Sequence, residues 1–267
     1  MKKCVVWCCN SDIKAKEWLA HSMMSFIKHD GENVDKFILT DDVSMKSECA
    51  KVIHIGDLIK KHNLTEVLKF KWQGRQASPM MMGRLLIPFL DELKDYDKVL
   101  YLDIDTDIIA DAFQWIFDID LAGYDVGMAQ ELRPSEGSIR NHPKARHCRL
   151  FVWANDVGRY TKENYKRLEK GTYFNSGVLL MNMPELRKTF ESIEFVCHVA
   201  IDALCAKLKL MDQDVINSMC RIKRINSAFN CFVCTHDTGD FVFCLHNAGG
   251  AKIEAKEYPV LKREDFV

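Results

Sequence analysis

Apolar and polar positions change period several times along the chain, and each change marks an element. The run CVVWCC (4–9) is apolar without a break, as in a strand covered on both faces. KAKEWLAHSMMSFIKH (14–29) spaces its apolar residues as a helix does, and VDKFILT (34–40) returns to a strand. This is a βαβ opening. AKVIHI (50–55) predicts a further strand, followed by a helix from about Gly56. SPMMMGRLLIPFLDEL (78–93) predicts a helix with Ser78 as N-cap and Pro79 at its first position, broken or kinked at Pro88. DKVLYLDI (97–104) is again nearly all apolar. YDVGMAQ and YFNSGVLLMNM predict later strands, DQDVINSMC a short helix, and DFVFCLHNAGG a last strand running into a glycine loop.

The pattern is that of an α/β protein with a mostly parallel sheet, organised as one domain over residues 1–267. Residues 131–170 break it. They have no clean period and hold ten Lys/Arg against five Asp/Glu, so they are read as a mobile or inserted basic segment. The rest of the chain carries −6, and the resulting net charge of −1 gives no whole-chain case for nucleic acid. Eleven cysteines without a disulfide-like spacing fit a reduced, cytoplasmic protein. Cys231 and Cys234 make a lone C-x-x-C with no second pair, too little for a zinc site. No stretch is long and apolar enough for a membrane span, and the apolar run after MKK is too short for a signal peptide.

Candidate chemistry begins where the apolar run KVLYL meets Asp103, Asp105 and Asp107. In open α/β sheets ligands bind outside the carboxyl ends of the strands, and Asp103 stands at such an end. Side chains at i and i+2 of an extended segment share a face, so Asp103 and Asp105 can converge on one hard divalent cation, Mg²⁺ or Mn²⁺. Asp107 and Asp111 fall beyond the strand and read as cap or turn residues. A second group follows the last strand, where HNAGGAK supplies His246, Gly249 and Lys252. Imidazole is a ligand for Mn²⁺, glycine admits a phosphate close to backbone, and a lysine offers a point charge.

RLLIPFL, DKVLYLDIDTDII, FDIDL, YFNSGVLLMNM, DQDVIN and HNAGGAK, in that order, resemble the successive blocks of glycosyltransferase family 8. The resemblance implies a GT-A fold and transfer of a hexose, with retention, from UDP-glucose or UDP-galactose to a glycan or glycolipid acceptor. It also implies Mn²⁺ or Mg²⁺ held by Asp103, Asp105 and His246, with Lys252 and Gly249 at the diphosphate. Arg84 would lie near donor sugar and diphosphate, Ile104 on the donor, and Asn175 and Ser176 along the sugar pocket. Asp212 and Gln213 would face the reacting carbon.

Each also has a purely structural reading: Arg84 as a surface ion pair, Asn175 as a strand-edge polar residue, Asp212 as a helix N-cap. Two departures from the family pattern stand out. KIE follows where Lys-Pro-Trp is usual, and CCNSD replaces the small-acidic run at the end of the first strand, with a longer stretch expected before the helix. Asn10 or Asp12 then stands nearest the base. A rival reading of LYLDIDTD is a haloacid-dehalogenase-like phosphatase, although Asp107 fills the Thr/Val position of that motif. A third is a non-catalytic nucleotide-sugar-binding protein. The basic residues Arg140, Lys144, Arg146 and Arg149 suggest contact with an anionic acceptor or a membrane surface.

Overall fold

The computed structural model describes residues 2–29, 33–69, 71–72, 75–130, 162–169, 172–206, 208, 210–232 and 242–247. The first half of the chain gives β1 (Lys3–Cys9), α1 (Ile13–His29), β2 (Asp35–Thr40), β3 (Lys51–His54), α2 (Gly56–Lys61) and the short pair β4 (Lys71–Trp72) and β5 (Arg75–Gln76). After α3 (Gly83–Leu86) come β6 (Lys98–Leu102), β7 (Thr106–Ile108) and β8 (Val126–Gln130). The second half gives α4 (Lys162–Glu169), β9 (Phe174–Asn182), α5 (Met183–Phe190), α6 (Ile193–Cys205) and α7 (Asp212–Met219). It ends in β10 (Ile222–Ile225), β11 (Cys231–Phe232) and β12 (Cys244–His246).

Seven strands form the central sheet in the order β10-β8-β9-β6-β1-β2-β3. β6, β1, β2 and β3 run parallel, while β9 is antiparallel to both β6 and β8. The unbroken apolar runs have a simple cause. In β1, Cys4, Val6 and Cys8 enter one core, and Val5, Trp7 and Cys9 enter the other. β6 divides likewise, with Val99 and Tyr101 on one side and Leu100 and Leu102 on the other. Alternate side chains point to opposite faces, so a strand between two cores has no polar face to show.

Four expectations are corrected. Only three residues separate β1 from α1, not a longer stretch. The helix expected over 78–93 begins as foreseen, with the Ser78 hydroxyl accepting from Met80 N at 3.2 Å. It then divides into 3₁₀ turns at Pro79–Met82, Ile87–Phe89 and Asp91–Leu93 around the single turn of α3. Pro88 has no N–H to give, and in a continuous α-helix its ring would clash with the carbonyl of Arg84. The last strand is short, and its three residues join β7 and β11 in a separate small sheet. Asp107 is neither cap nor turn but part of β7, 3.3 Å from His21 Nε2.

Candidate active site

The antiparallel pairing of β12 with β7 sets His246 opposite Thr106, directly beside the turn that carries Asp103 and Asp105. The backbone N–H of Asn247 donates to the carbonyl of Asp105 at 2.9 Å, and the Thr106 hydroxyl donates to that of Asp103 at 2.7 Å. The turn is therefore tied down on both sides. His246 Nε2 lies 3.3 Å from Asp105 Oδ1 and 3.6 Å from Asp103 Oδ2. One ligand atom from each of the three falls within 4.8 Å of the others. This donor set, two carboxylates and one imidazole, fits a divalent ion of the Mn²⁺ type.

His246 reaches this position because residue 177 is glycine. A Cβ there would stand 2.2 Å from Cε1 of the His246 ring and 2.6 Å from Nδ1. Gly177 in turn accepts from Asp103 N at 2.7 Å, so the strand holding the glycine also holds the carboxylate turn.

Arg84 is the second centre. Its side chain is 8% exposed, and NH2 donates to Asp103 Oδ1 at 2.8 Å while NH1 donates to the Ser176 carbonyl at 2.7 Å and hydroxyl at 3.0 Å. Nε lies 2.9 Å from Asp212 Oδ2 without hydrogen-bond alignment, and the guanidinium sits over the Tyr101 ring at 4.4 Å. Tyr101 Oη adds a bond of 2.7 Å to Asp103 Oδ1. A fork held at three corners keeps one planar orientation, which a lysine could not.

Asp212 and Gln213 open α7. Asp212 is not the N-cap; that position is Met211, at φ 44° and ψ −105°. Such a backbone is strained for a residue with a side chain, and it turns the first two helical residues inward. Gln213 Oε1 accepts from Ser176 N at 2.8 Å, Ser176 Oγ at 3.1 Å and Asn175 Nδ2 at 3.1 Å. Asp214 and Asn217 brace the helix. Asp214 takes Tyr173 Oη and Leu210 N, and Asn217 exchanges hydrogen bonds with the backbone of Phe174.

Charge follows from this packing. Burial pushes the Asp212 carboxyl up to about 7, with Arg84 opposing. Burial also works against a charged Arg84, but Asp103 and Asp212 outweigh it and hold the guanidinium firmly protonated. For Asp105 burial is outweighed by His246, which draws its pKa down, and for His246 burial is outweighed by Asp105, which pushes its pKa up.

Of the sequence candidates, Arg84, Asp103, Asp105, Asn175, Ser176, Asp212, Gln213 and His246 share this one cluster. Ile104 lies between the two carboxylates, half-buried. Asn10 and Asp12 stand apart from these contacts at the start of α1, where Asn10 Oδ1 accepts from Asp12 N at 3.2 Å and Asp12 Oδ1 accepts from Ala15 N at 3.1 Å. Gly249 and Lys252 lie outside the described residues, as does 131–161 with Arg140, Lys144, Arg146 and Arg149. Sequence reasoning gave no role to Asn230 or Gly177, which hold His246 by contacts no motif announces.

Residues 13–248 match the model of Glycosyl transferase family 8. The chain belongs to that family. A Haemophilus influenzae protein provisionally named a glycosyltransferase is 27% identical over 143 residues, 52% of this chain and 35% of that protein. The chain thus spans about a third of that relative's length. A structure of galactosyltransferase LgtC in complex with donor and acceptor sugar analogues aligns at TM-score 0.60 and 17% identity, covering 93% of this chain and 88% of LgtC. An active-site mutant of LgtC aligns at 0.63 and 16% over the same shares. Mouse xyloside xylosyltransferase 1 aligns at 0.57 and 14%, over 95% and 100%. At these identities the likeness establishes the fold, which is GT-A. Among the described residues no helix of this family 8 chain is long and apolar enough to cross a membrane.

Proposed function

We propose that the chain is a retaining glycosyltransferase that moves a hexose, glucose or galactose, from a UDP-sugar to a glycan or glycolipid acceptor. The observation that carries this reading is the convergence of Asp103, Asp105 and His246 within 4.8 Å, beside the Arg84–Asp212–Gln213 cluster, in a family 8 chain. Those three residues would hold Mn²⁺ or Mg²⁺. When bound, the ion supplies Lewis-acid stabilisation of the diphosphate leaving group.

The chain's own residues do the rest. Arg84 places fixed positive charge beside Asp103, preorganised by its bonds to Ser176. Gln213 Oε1, already accepting three hydrogen bonds, is a weak nucleophile but a fixed dipole suited to developing positive charge on the sugar. Same-face attack by the acceptor beside the departing diphosphate follows from that. Asp212, whose pKa is raised to about 7, is the neighbouring carboxylate that adds negative charge when ionised. Lys252 and Gly249 are assigned to the diphosphate, and Arg140, Lys144, Arg146 and Arg149 to an anionic acceptor or membrane surface, on sequence grounds.

A panel of UDP-sugars, assayed for Mn²⁺-dependent UDP release and for product linkage by proton NMR, tests the proposal. UDP-glucose or UDP-galactose should give an α-linked product, and Asp105→Asn should lose most Mn²⁺-dependent turnover. Release of phosphate from simple phosphomonoesters would point to the phosphatase instead. Donor binding without turnover would leave a binding protein.

A further inference from the structure

One buried residue joins the two halves of the site. Asn230, 2% exposed, lies with Oδ1 3.0 Å from His246 Nδ1 and Nδ2 2.8 Å from Asn175 Oδ1. Asn175 Nδ2 continues to Gln213 Oε1 at 3.1 Å. The relay therefore runs from the helix α7 amide, across the β9 strand, to the imidazole beside the carboxylates.

Its direction is set by backbone, which can only donate through N–H. Ser176 N donates to Gln213 Oε1 at 2.8 Å and Gly177 N donates to Asn175 Oδ1 at 2.8 Å, which identifies both atoms as oxygens. Asn230 must then present its NH₂ to Asn175, and its remaining amide atom, an oxygen, faces His246. An amide oxygen can only accept, and an unprotonated ring nitrogen can only accept as well, so Nδ1 of His246 must carry the proton of this bond. A neutral ring with its proton on Nδ1 has its lone pair on Nε2, the nitrogen that faces Asp103 and Asp105.

We infer that Asn230 is a positioning residue that fixes His246 as the Nδ1–H tautomer, with Nε2 ready for a metal, and locks it in register with Asn175 and Gln213. This rests on the metal reading of Asp103, Asp105 and His246. Outer partners that orient ligating histidines typically change metal affinity or activity by about 10–100-fold when removed.

Asn230→Leu removes both bonds, whereas Asn230→Asp keeps an acceptor for Nδ1–H but withdraws the donor from Asn175. Mn²⁺ affinity, measured by EPR on protein without sugar nucleotide, should fall by about 10–100-fold in Asn230→Leu. It should stay close to wild type in Asn230→Asp, while turnover at saturating Mn²⁺ falls. With ¹⁵N-histidine, His246 should keep a proton on Nδ1 on both sides of the ring's titration in wild type and lose that restriction in Asn230→Leu. Wild type that binds no Mn²⁺ overturns the metal reading and this inference together. Wild type that binds Mn²⁺, with unchanged affinity and ring signals in Asn230→Leu, overturns this inference alone. If Asn230→Leu does not fold, Asn230→Asp decides: wild-type Mn²⁺ affinity together with wild-type turnover overturns it.

Discussion

Two neighbouring regions, at the edge of the central sheet where β1 and β6 end and β9 begins, are built on different plans. Around β6 and β9, Arg84, Asn175, Ser176, Asp212, Gln213 and His246 are all at most 8% exposed and bonded to one another across distant parts of the chain. At the end of β1, Asn10 and Asp12 spend side-chain acceptors on their own neighbours, two and three residues away. The first region is held by tertiary structure, the second by the start of a helix. Substitutions should therefore damage fold and chemistry together in the first, and only local structure in the second.

The largest effect is expected at Arg84. Asp103 and Asp212, with side chains 23% and 5% exposed, both depend on its charge. Removing one partner of a buried ion pair costs about 3–5 kcal/mol, so Arg84→Met should lose stability on that scale in urea denaturation. Arg84→Lys should not restore it, because one ammonium cannot serve Asp103, Ser176 and Asp212 in a plane. A loss below about 1 kcal/mol, the level of an exposed pair, would deny Arg84 its central place.

Gly177→Ala comes next. With a Cβ 2.2 Å from the His246 ring, the imidazole must leave its position beside Asp105. Overpacking of this kind costs about 1–3 kcal/mol. The sharper sign is an Mn²⁺ affinity at least about 10-fold weaker by EPR, comparable to losing an outer partner of the ligand. Unchanged affinity would show that the ring has room to move without consequence.

What could be read beforehand follows the same division. The burial of β1 and β6 on both faces, the place of Asp103 at the end of an apolar strand, the NSG of β9 and the start of α7 were legible, because each is a local pattern of burial or spacing. The convergence of Asp103 and Asp105 is expected from the two-residue period of an extended chain. The structure brings it about instead by a turn, in which Thr106 N donates to the Asp103 carbonyl at 3.2 Å. The strain at Met211 was not legible, since nothing about methionine announces φ 44°. Nor was Asn230, whose importance comes from partners 55 and 16 residues away. The antiparallel place of β9 and the short sheet of β12 also depend on pairing rather than on composition, and unbroken apolar runs read the same in either direction.

A smaller effect separates Asp212 from its charge. Its folded pKa, about 7, lies above the ordinary value of about 4, so the folded chain holds the proton more tightly than the unfolded one. The stability tied to that proton is fully present below about pH 4 and is lost as pH rises towards about 7. Asp212→Asn cannot ionise. Its melting temperature should therefore gain on wild type as pH rises through that window, by a few degrees, while turnover falls at every pH. Parallel melting curves across the window would mean that Arg84 keeps Asp212 ionised throughout.

The smallest effect belongs to the other region and shows whether it takes part at all. Asp12 Oδ1 accepts from Ala15 N, the N-cap bond of α1, and replacing such a cap by alanine costs about 1 kcal/mol. Asn is as good a cap as Asp, so Asp12→Asn should keep that stability while exchanging the carboxylate for an amide. The pair of variants thus divides Asp12's two assignments. Asp12→Ala should lower the urea midpoint, Asp12→Asn should restore it, and a residue that serves only the helix leaves the UDP-sugar KM unchanged in both. A KM that rises in Asp12→Asn at full stability would join Asp12 to the donor site. The region at the end of β1 would then be a recognition surface as well as a helix start, and the contrast with the β6–β9 side would narrow to one of exposure.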